Sequence, residues 1–398
     1  MMKKLALIAA TVGTTLGIFL GSALSQEPLR PMSSEELSEC CQIDLLGWDE
    51  LIWGIPDRPD LGAGGDRQAL LAAIDNSLQY LDSQKAVEDY QKYDAVEGIT
   101  RDRVRRSLER FRELLLAASG PSGLQAAVRR EFIWYRSVGY DGRGTVAFTG
   151  YFEPTYAASR VPTEEYRYPL YGLPPDLADW PKPHPTRSDL EGEDGTGRNS
   201  PLKGSEIVWL RDRLESFLVH IQGSARLQLA DGTVMTVNYV GNTDYSYTSI
   251  GTELVKDGKM RLEDVTLPSL IEYFQQHPAE LNDYLPRNSR FIFFQETDGS
   301  PAMGFIKVPV TPERSIATDK SLMPPGALAA IYTQIPYANQ RGELEERWAS
   351  RYVLDHDAGG AITGPGRVDI FMGTGSIAGD RAGIMNATGQ LYYLLLKE

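Results

Sequence analysis

Two aspartates near the C-terminus, Asp357 and Asp369, have the surroundings expected of a proton-transfer site. The loop between them contains four glycines and a proline, so it can fold back and bring the two carboxyl groups close together. Two nearby carboxyl groups cannot both ionise freely, and the pKa of one of them rises. Asp369 lies between Val368 and Ile370, where an acid is either a structural exception or a proton donor. Two ion pairs and a turn aspartate remain an equally good interpretation of these residue types alone.

A third acid, Asp380, follows in Gly379-Asp380-Arg381-Ala382-Gly383, with Arg381 as its candidate ion-pair partner. A metal could be imagined at Asp355-His356-Asp357, but strand alternation would place the histidine on the face opposite both aspartates. No Gly-x-Ser-x-Gly or His-Glu-x-x-His motif occurs, and the chain has only four histidines. The sequence therefore predicts neither a serine-based site nor a metal.

One glycine motif, Gly373-Thr374-Gly375-Ser376-Ile377-Ala378, fits the dinucleotide-binding pattern. Only 20 residues follow it, which is too few for the βαβ unit that this pattern requires. We expect these glycines in tight turns instead, and no cofactor.

The elements that must position these residues divide into a helical N-terminal part and a β-rich remainder. Residues 66–136 show helical spacing of apolar residues, with Thr100 as the expected N-cap of one helix. From residue 144 onward, short segments separated by glycine and proline predict a barrel or sandwich. A helix is expected at Leu267 to His277, and a long surface excursion at residues 160–204. The predicted strands are Thr145 to Phe152, Phe217 to Leu229, Val234 to Val240, Arg290 to Gln295, Met303 to Val310, Ala327 to Thr333, Arg351 to Leu354, Arg367 to Met372 and Leu391 to Leu396.

Charge and the N-terminal pattern narrow the partners and the location. The 398 residues suffice for two domains, and the net charge of −14 argues against nucleic acid and against adsorption to anionic lipid. Residues 1–25 show the pattern of a secretory signal, with Ala23-Leu24-Ser25 as the small-residue site. An uncleaved anchor is the alternative, so any membrane contact would be made through this segment. The only cysteines, Cys40 and Cys41, are adjacent, and no ordinary disulfide joins such neighbours.

Several sequence blocks, in order along roughly residues 45–397, together resemble the membrane-bound lytic murein transglycosylase A family. The last of them resembles a domain named for three aspartates, here Asp357, Asp369 and Asp380. The blocks are Gly150-Tyr151-Phe152-Glu153-Pro154, His220-Ile221-Gln222-Gly223-Ser224-Ala225-Arg226, residues 239–251, residues 318–326, residues 357–364, Val368-Asp369-Ile370-Phe371 and residues 378–383.

The resemblance implies a mainly β fold with an α-helical N-terminal part. A double-psi β-barrel domain would combine residues 42–158 and 297–398, with a smaller β domain inserted at residues 159–296 and a glycan-binding groove between them. It also implies an exported enzyme of the periplasm or cell envelope, with outer-membrane association left open. Its partners would be peptidoglycan glycan strands, and other cell-wall enzymes are further candidates.

The reaction that the resemblance implies is non-hydrolytic cleavage of the β-1,4 bond between N-acetylmuramic acid and N-acetylglucosamine. Such an exotransglycosylase, a lyase, leaves 1,6-anhydromuramic acid ends and needs no cofactor. Asp369 would act first as general acid and then as base, with Asp357 as the neighbouring carboxylate. The expected substrate-binding residues are Glu153, Gln222, Ser224, Arg226, Tyr247, Asp319 and Asp380, with Gln222 placed on an alternating strand beside Gly223.

Two other functions stay open at the level of sequence. One is a polysaccharide hydrolase on a related barrel, and the other is a non-catalytic glycan-binding protein. The sequence also departs from the family pattern, since Lys320 stands where arginine is usual after Asp319. We expect this departure to affect contacts with the sugars and not the reaction, because the three acids Asp357, Asp369 and Asp380 are all present.

Overall fold

The structure is a computed structural model that describes residues 27–33, 35–37, 65–339 and 341–398. The predicted signal, both cysteines and the predicted start of the first domain at residue 42 lie outside these residues. The described helices are α1 (Gly65–Leu81), α2 (Gln84–Lys92), α3 (Arg101–Ala117), α4 (Pro121–Glu131), α5 (Arg187–Glu191), α6 (Arg213–Gln222), α7 (Ile250–Lys256), α8 (Leu267–Gln276), α9 (Leu281–Tyr284) and α10 (Ser376–Ile384). The strands are β1 (Leu29–Pro31), β2 (Phe132–Ser137), β3 (Val146–Glu153), β4 (Thr155–Ser159), β5 (Tyr168–Tyr171), β6 (Glu206–Leu210), β7 (Ser224–Leu229), β8 (Val234–Asn242), β9 (Ile292–Thr297), β10 (Ser315–Ala317), β11 (Leu328–Ala338), β12 (Leu344–Asp357), β13 (Arg367–Thr374) and β14 (Asn386–Leu396).

The N-terminal helices form because apolar residues recur on one face and because their first turns are capped. The hydroxyl of Thr100 accepts a hydrogen bond from the backbone N–H of Arg103 at 3.2 Å, which confirms it as the N-cap of α3. Leu108 and Phe111 of this helix are fully buried against the barrel. The predicted helical region extended too far, because the chain from Phe132 onward pairs with β14 as strand β2.

The larger sheet has eight strands, and six of them close into a barrel. Its order is β3-β14-β11-β12-β10-β13, and β13 pairs again with β3 to close the ring. The pairs β10–β12 and β13–β3 are parallel, and the others are antiparallel. Strands β2 and β1 extend the sheet from β14. The mainly β fold with N-terminal helices and a barrel is therefore confirmed.

The second sheet has six strands in the order β5-β6-β4-β7-β8-β9, all between residues 155 and 297. It has its own apolar core, which includes Leu170, Val208, Leu227 and Phe294. Strand β3 of the barrel continues into β4 of this sheet through Glu153 and Pro154, so one nearly continuous strand joins the two sheets. The two predicted domain boundaries stay predictions.

Two local predictions were wrong. Residues 217–222 are the end of helix α6, because the Asp212 side chain caps its start and Gly223, at φ 78°, ends it in the left-handed conformation. Met303 to Val310 is irregular, with one isolated bridge between Met303 and Pro309 in place of a strand. The glycine motif at residues 373–378 forms a tight connection, as predicted, because Gly373 (φ 113°) and Gly375 (φ 85°) lie where β13 ends at Thr374 and helix α10 begins at Ser376.

The excursion at residues 160–204 contains more regular structure than expected, namely strand β5 and helix α5. Helix α8, at Leu267–Gln276, agrees with prediction. Within the described ranges, no helix combines the length and the apolar character needed to cross a membrane.

Candidate active site

Asp369 lies in the middle of β13, with its side chain on the face opposite the barrel core. Its neighbours Val368 and Ile370 are fully buried in that core, as strand alternation requires. In the parallel pair β13–β3, Asp369 is in register with Thr149, whose hydroxyl donates a hydrogen bond to the Asp369 carboxylate. The residue keeps some solvent access, while its carboxyl group is closely surrounded by protein atoms.

Asp357 ends β12, and its carboxylate receives three hydrogen bonds. The Tyr151 hydroxyl donates at 2.8 Å, the Phe305 backbone N–H at 2.9 Å, and the Ala358 backbone N–H at 2.8 Å. Since Tyr151 lies on β3 two residues after Thr149, one strand supplies a hydroxyl to each of the two acids.

The pairing of the barrel strands sets the distance between Asp357 and Asp369, a role that was expected of the glycine loop between them. Ala317 of β10 pairs with Asp369 on one side and with Asp357 on the other. The two backbones are therefore two strands apart, or roughly 10 Å. Their carboxyl groups still interact, since the charge of Asp357 raises the pKa of Asp369.

The pKa of both acids is raised. Burial is the largest cause for Asp369, and the charge of Asp357 adds to it, while the Thr149 hydrogen bond and the Arg367 charge act in the opposite direction. Burial also raises the pKa of Asp357, against the hydrogen bond from Tyr151 and the charge of Lys320. A protonated carboxyl group near neutral pH is what a general acid requires.

A buried cluster supports Asp357 from behind. The Lys320 ammonium donates to the Asp355 carboxylate at 2.6 Å and also to the backbone carbonyl of Asp357. Asp355 accepts further hydrogen bonds from Thr318 and Tyr393. Lys320, at the position where arginine is usual in the family that the sequence resembles, therefore supplies the positive charge of this cluster.

The side chains of Asp355, His356 and Asp357 do not point to a common position. A bulge in the β10–β12 pairing makes His356 the extra residue, and its ring lies between the hydroxyls of Ser77 (2.9 Å) and Ser315 (2.8 Å). Asp355 and Asp357 use separate partners. Among the described residues, no group of three or more His, Cys, Asp or Glu side chains is arranged to hold a metal ion.

Glu153 lies at the point where β3 leaves the barrel. Its side chain is fully buried, accepts a hydrogen bond from Thr374 at 2.8 Å, and lies 3.5 Å from the Arg226 guanidinium of the second sheet. Gln222 reaches the same crossing, because its side-chain oxygen accepts from the Phe152 backbone N–H at 3.0 Å. Gln222 is thus the last residue of a helix, and the predicted strand position for it was wrong.

The remaining predicted substrate-binding residues differ in their distance from the acids. Tyr247 lies close to Asp369, whose charge acts on its phenol, and burial is the main reason that the pKa of Tyr247 is raised. Ser224 is buried at the start of β7. Asp319 accepts from the Gly364 backbone N–H at 2.8 Å and so holds the glycine loop.

Asp380 is exposed on α10, and the structure gives it no role at the two acids. Its expected partner, Arg381, is instead buried and pairs with Glu313 at 2.7 Å. The predicted Asp380–Arg381 pair was therefore wrong.

Four residues at the two acids were not predicted from the sequence as site residues, namely Thr149, Tyr151, Arg367 and Phe305. Two signals were available in the sequence. Thr149 and Tyr151 flank Gly150, and Arg367 precedes Asp369 by two residues on the same strand. Phe305 contributes through its backbone N–H, and nothing in its residue type marks that role.

A surface cavity of about 310 Å³ occurs elsewhere, in the second domain. Five prolines line it together with Asp176, Trp180, Leu202 and Ser205, and none of the predicted site residues is among its lining. Two carboxyl groups with raised pKa mark a site better than a concave surface without such groups. We therefore place the candidate active site at Asp369 and Asp357.

Comparison with known proteins agrees with this assignment of fold. Two family models match, the MltA specific insert domain at residues 147–295 and the 3D domain at residues 314–395. A membrane-bound lytic murein transglycosylase A of Escherichia coli (strain K12) is 29% identical over 259 residues, which cover 64% of this chain and 67% of that protein. The protein of that name from Vibrio cholerae is 27% identical over 361 residues, covering 87% and 92%.

Two solved structures have the same fold. E. coli MltA with bound chitohexaose superposes with a TM-score of 0.63 at 25% identity, covering 79% of this chain and 90% of that one. A membrane-bound lytic murein transglycosylase from Agrobacterium tumefaciens gives a TM-score of 0.66 at 24% identity, covering 86% and 96%. Both family models occur in order on one chain with this barrel, so the protein carries the MltA specific insert domain and the 3D domain on the fold of the membrane-bound lytic murein transglycosylases A.

Proposed function

We propose that this protein is a lytic transglycosylase that cleaves the β-1,4 bond between N-acetylmuramic acid and N-acetylglucosamine in peptidoglycan. The observation that carries the proposal is the enclosed carboxyl group of Asp369, whose pKa is raised beside a second carboxyl group at Asp357. The names of the relatives and the chitohexaose bound to E. coli MltA support a glycan substrate.

In the proposed reaction, one carboxyl group serves two steps. Protonated Asp369 gives its proton to the glycosidic oxygen as the bond from that oxygen to C1 of the muramic sugar breaks. The 6-hydroxyl of the same sugar then bonds to C1, and its proton returns to the Asp369 carboxylate. The product is a 1,6-anhydromuramic end, and the acid is restored to its starting state.

The hydrogen bonding of Asp357 favours an internal nucleophile over water. A hydrolase of the common type uses two carboxyl groups with separate roles. Here Asp357 already accepts three hydrogen bonds from the protein, which leaves it little capacity to activate a water molecule. We assign to Asp357 an electrostatic role, since its charge helps to keep Asp369 protonated.

For the substrate groove, we propose contacts on both sides of the β3–β4 crossing. Tyr247 is the candidate for packing against a sugar ring. Around the crossing, the candidates are Glu153 at the end of β3, Gln222 at the end of α6, and Ser224 and Arg226 on β7 of the second sheet. We further propose export to the cell envelope, in keeping with the membrane-bound relatives.

Mass spectrometry of the fragments released from purified cell wall tests the proposal. Wild-type protein should release muropeptides with anhydro ends, and Asp369→Asn should release none while it remains folded. Asp283→Asn, at an exposed residue of α9, is the matched control and should act as wild type. Reducing ends in the products would indicate a hydrolase, and full activity of Asp369→Asn would eliminate Asp369 as the acid.

A further inference from the structure

Arg367 places a positive charge on the same strand face as Asp369. It begins β13 two residues earlier, so the two side chains project from the same side of the sheet, roughly 7 Å apart along the strand. Its guanidinium donates to the Thr149 hydroxyl at 3.2 Å, and that hydroxyl in turn donates to the Asp369 carboxylate. Arg367 is therefore next to the acid without touching it.

No carboxylate of the described residues forms a salt bridge with Arg367, and its Nε–H is buried without a hydrogen-bond partner. Other buried arginines of the barrel are matched, as Arg351 is with Asp66 at 2.7 Å. A partly buried guanidinium loses hydration, and that loss is offset only when an acceptor replaces the water. Arg367 therefore carries a positive charge that no carboxylate of the described residues neutralises through a salt bridge.

The charge of Arg367 also works against the proposed chemistry. It lowers the pKa of Asp369, and a general acid needs its proton. An anionic ligand group beside Arg367 would cancel this effect when the substrate is bound. Tyr247 lies near both residues, since the charge of Arg367 lowers the pKa of its phenol and the charge of Asp369 raises it, while burial is the largest cause of its raised pKa.

We propose that Arg367 binds a carboxylate attached to the muramic sugar and thereby selects peptidoglycan over uncharged chitin-like chains. This inference rests on the proposed function and names the substrate group that the site recognises. The muramic sugar differs from N-acetylglucosamine by a lactyl ether, which ends in a free carboxylate or continues into a peptide with carboxylates of its own. A guanidinium suits either one, because its N–H groups match the two carboxylate oxygens.

Calorimetric binding in the Asp369→Asn background separates this recognition from turnover. The ligands are glycan strands with free lactyl carboxylates, the same strands with those groups converted to methylamides, strands that keep their stem peptides, and chitohexaose. The variants are Arg367→Gln and Arg367→Lys, with Arg347→Gln as the matched control, since Arg347 is exposed on β12 far along the strand from Asp357.

Arg367→Gln should weaken the binding of at least one carboxylate-bearing ligand by about tenfold or more, as expected for a charged hydrogen bond. Binding of the methylamide strands and chitohexaose should change less than about twofold. Arg367→Lys should lose less affinity than Arg367→Gln, and Arg347→Gln should lose none. A loss confined to free lactyl strands identifies that carboxylate, and a loss on peptide-bearing strands identifies the stem.

Equal losses on all four ligands, or no loss on any, would overturn the proposal. Equal losses would mean that Arg367 only positions Thr149 and the site around it. The result is independent of the product analysis, because a protein that releases no anhydro ends can still bind these ligands with or without the predicted selectivity.

Discussion

At the scale of single residues, the two acids are distinguished by what surrounds them. Asp357 is saturated with hydrogen bonds from Tyr151 and two backbone N–H groups, while Asp369 has one hydroxyl donor from Thr149. Each of these bonds favours the charged form of its acid, and burial favours the neutral form. Asp369 has fewer partners that stabilise its charge, and it is the acid to which we assign the proton.

Removal of the Thr149 hydroxyl should move the pH profile. In wild type, the hydrogen bond from Thr149 lowers the pKa of Asp369 against burial. Thr149→Val should therefore raise that pKa further, so Asp369 keeps its proton to higher pH. Because the proposed bond cleavage needs the protonated form, the alkaline limb of the activity profile should shift upward in pH.

Initial rates of anhydro-end formation across a range of pH measure this shift. Thr388→Val, at an exposed residue of β14, makes the same chemical change outside the site and should leave the profile unaltered. A downward shift of the alkaline limb in Thr149→Val would contradict the assignment of Asp369 as the acid.

At the scale of elements, close packing of α10 against β3 fixes the strand that carries Thr149 and Tyr151. A Cβ atom added at Gly150 would lie 2.9 Å from the Cα atom of Ala382 in α10. Helix and strand can approach this closely because Gly150 has no side chain. The glycine of the Gly150 block thus has a packing role beside the site.

Gly150→Ala should destabilise the fold by about 1–3 kcal/mol, since the backbone of α10 must move to admit the methyl group. It should also reduce activity, because the shift falls between Thr149 and Tyr151. Denaturant unfolding of the variant and wild type measures the first effect. Gly123→Ala in α4 is the control, because a Cβ there meets nothing within 4 Å, and it should be neutral or slightly stabilising. If Gly150→Ala and wild type were equally stable, helix α10 would accommodate the methyl group without loss of stability, and the packing role of Gly150 would be contradicted.

Local patterns predicted some elements well and failed where tertiary pairing decides. The cap at Thr100 and helix α8 follow from residue types and spacing alone. Residues 132–136 continue a helical pattern, yet they form a strand because β14, more than 250 residues later, pairs with them. The apolar neighbours of Asp369 made it a candidate, and the family resemblance assigned it the acid's role. Thr149 and Phe305 were missed because only the tertiary structure brings them to the acids.

At the scale of the whole molecule, a buried ionic cluster ties the N-terminal helices to the barrel. Asp66 of α1 accepts hydrogen bonds from Arg351 at 2.7 and 2.9 Å and from Arg314 at 3.0 Å, and all three residues are buried. Burial disfavours the Asp66 charge, but the two arginines outweigh it and hold its pKa below the usual value. The cluster therefore contributes stability above the ordinary pKa of an aspartate, and this contribution is lost as the pH falls.

Asp66→Asn should lower the free energy of unfolding by about 3–5 kcal/mol at neutral pH, because it leaves two buried guanidinium groups short of a counter-charge. Thermal or denaturant unfolding checks this value, and the difference from wild type should shrink on acidification. Asp75→Asn is the control in the same helix as Asp66, and it removes the exposed carboxylate that pairs with Arg112 of α3. It should lower the free energy of unfolding by at most about 1 kcal/mol. Similar losses in both variants would contradict the importance of the buried cluster.

The crossing from β3 to β4 has a mechanical consequence. An extended strand is stiff along its length, and this one runs from Thr149 beside the acid, through Glu153 and Pro154, into the second sheet. A pull or tilt applied to that sheet by a taut polymer would be transmitted to the hydroxyl that holds Asp369.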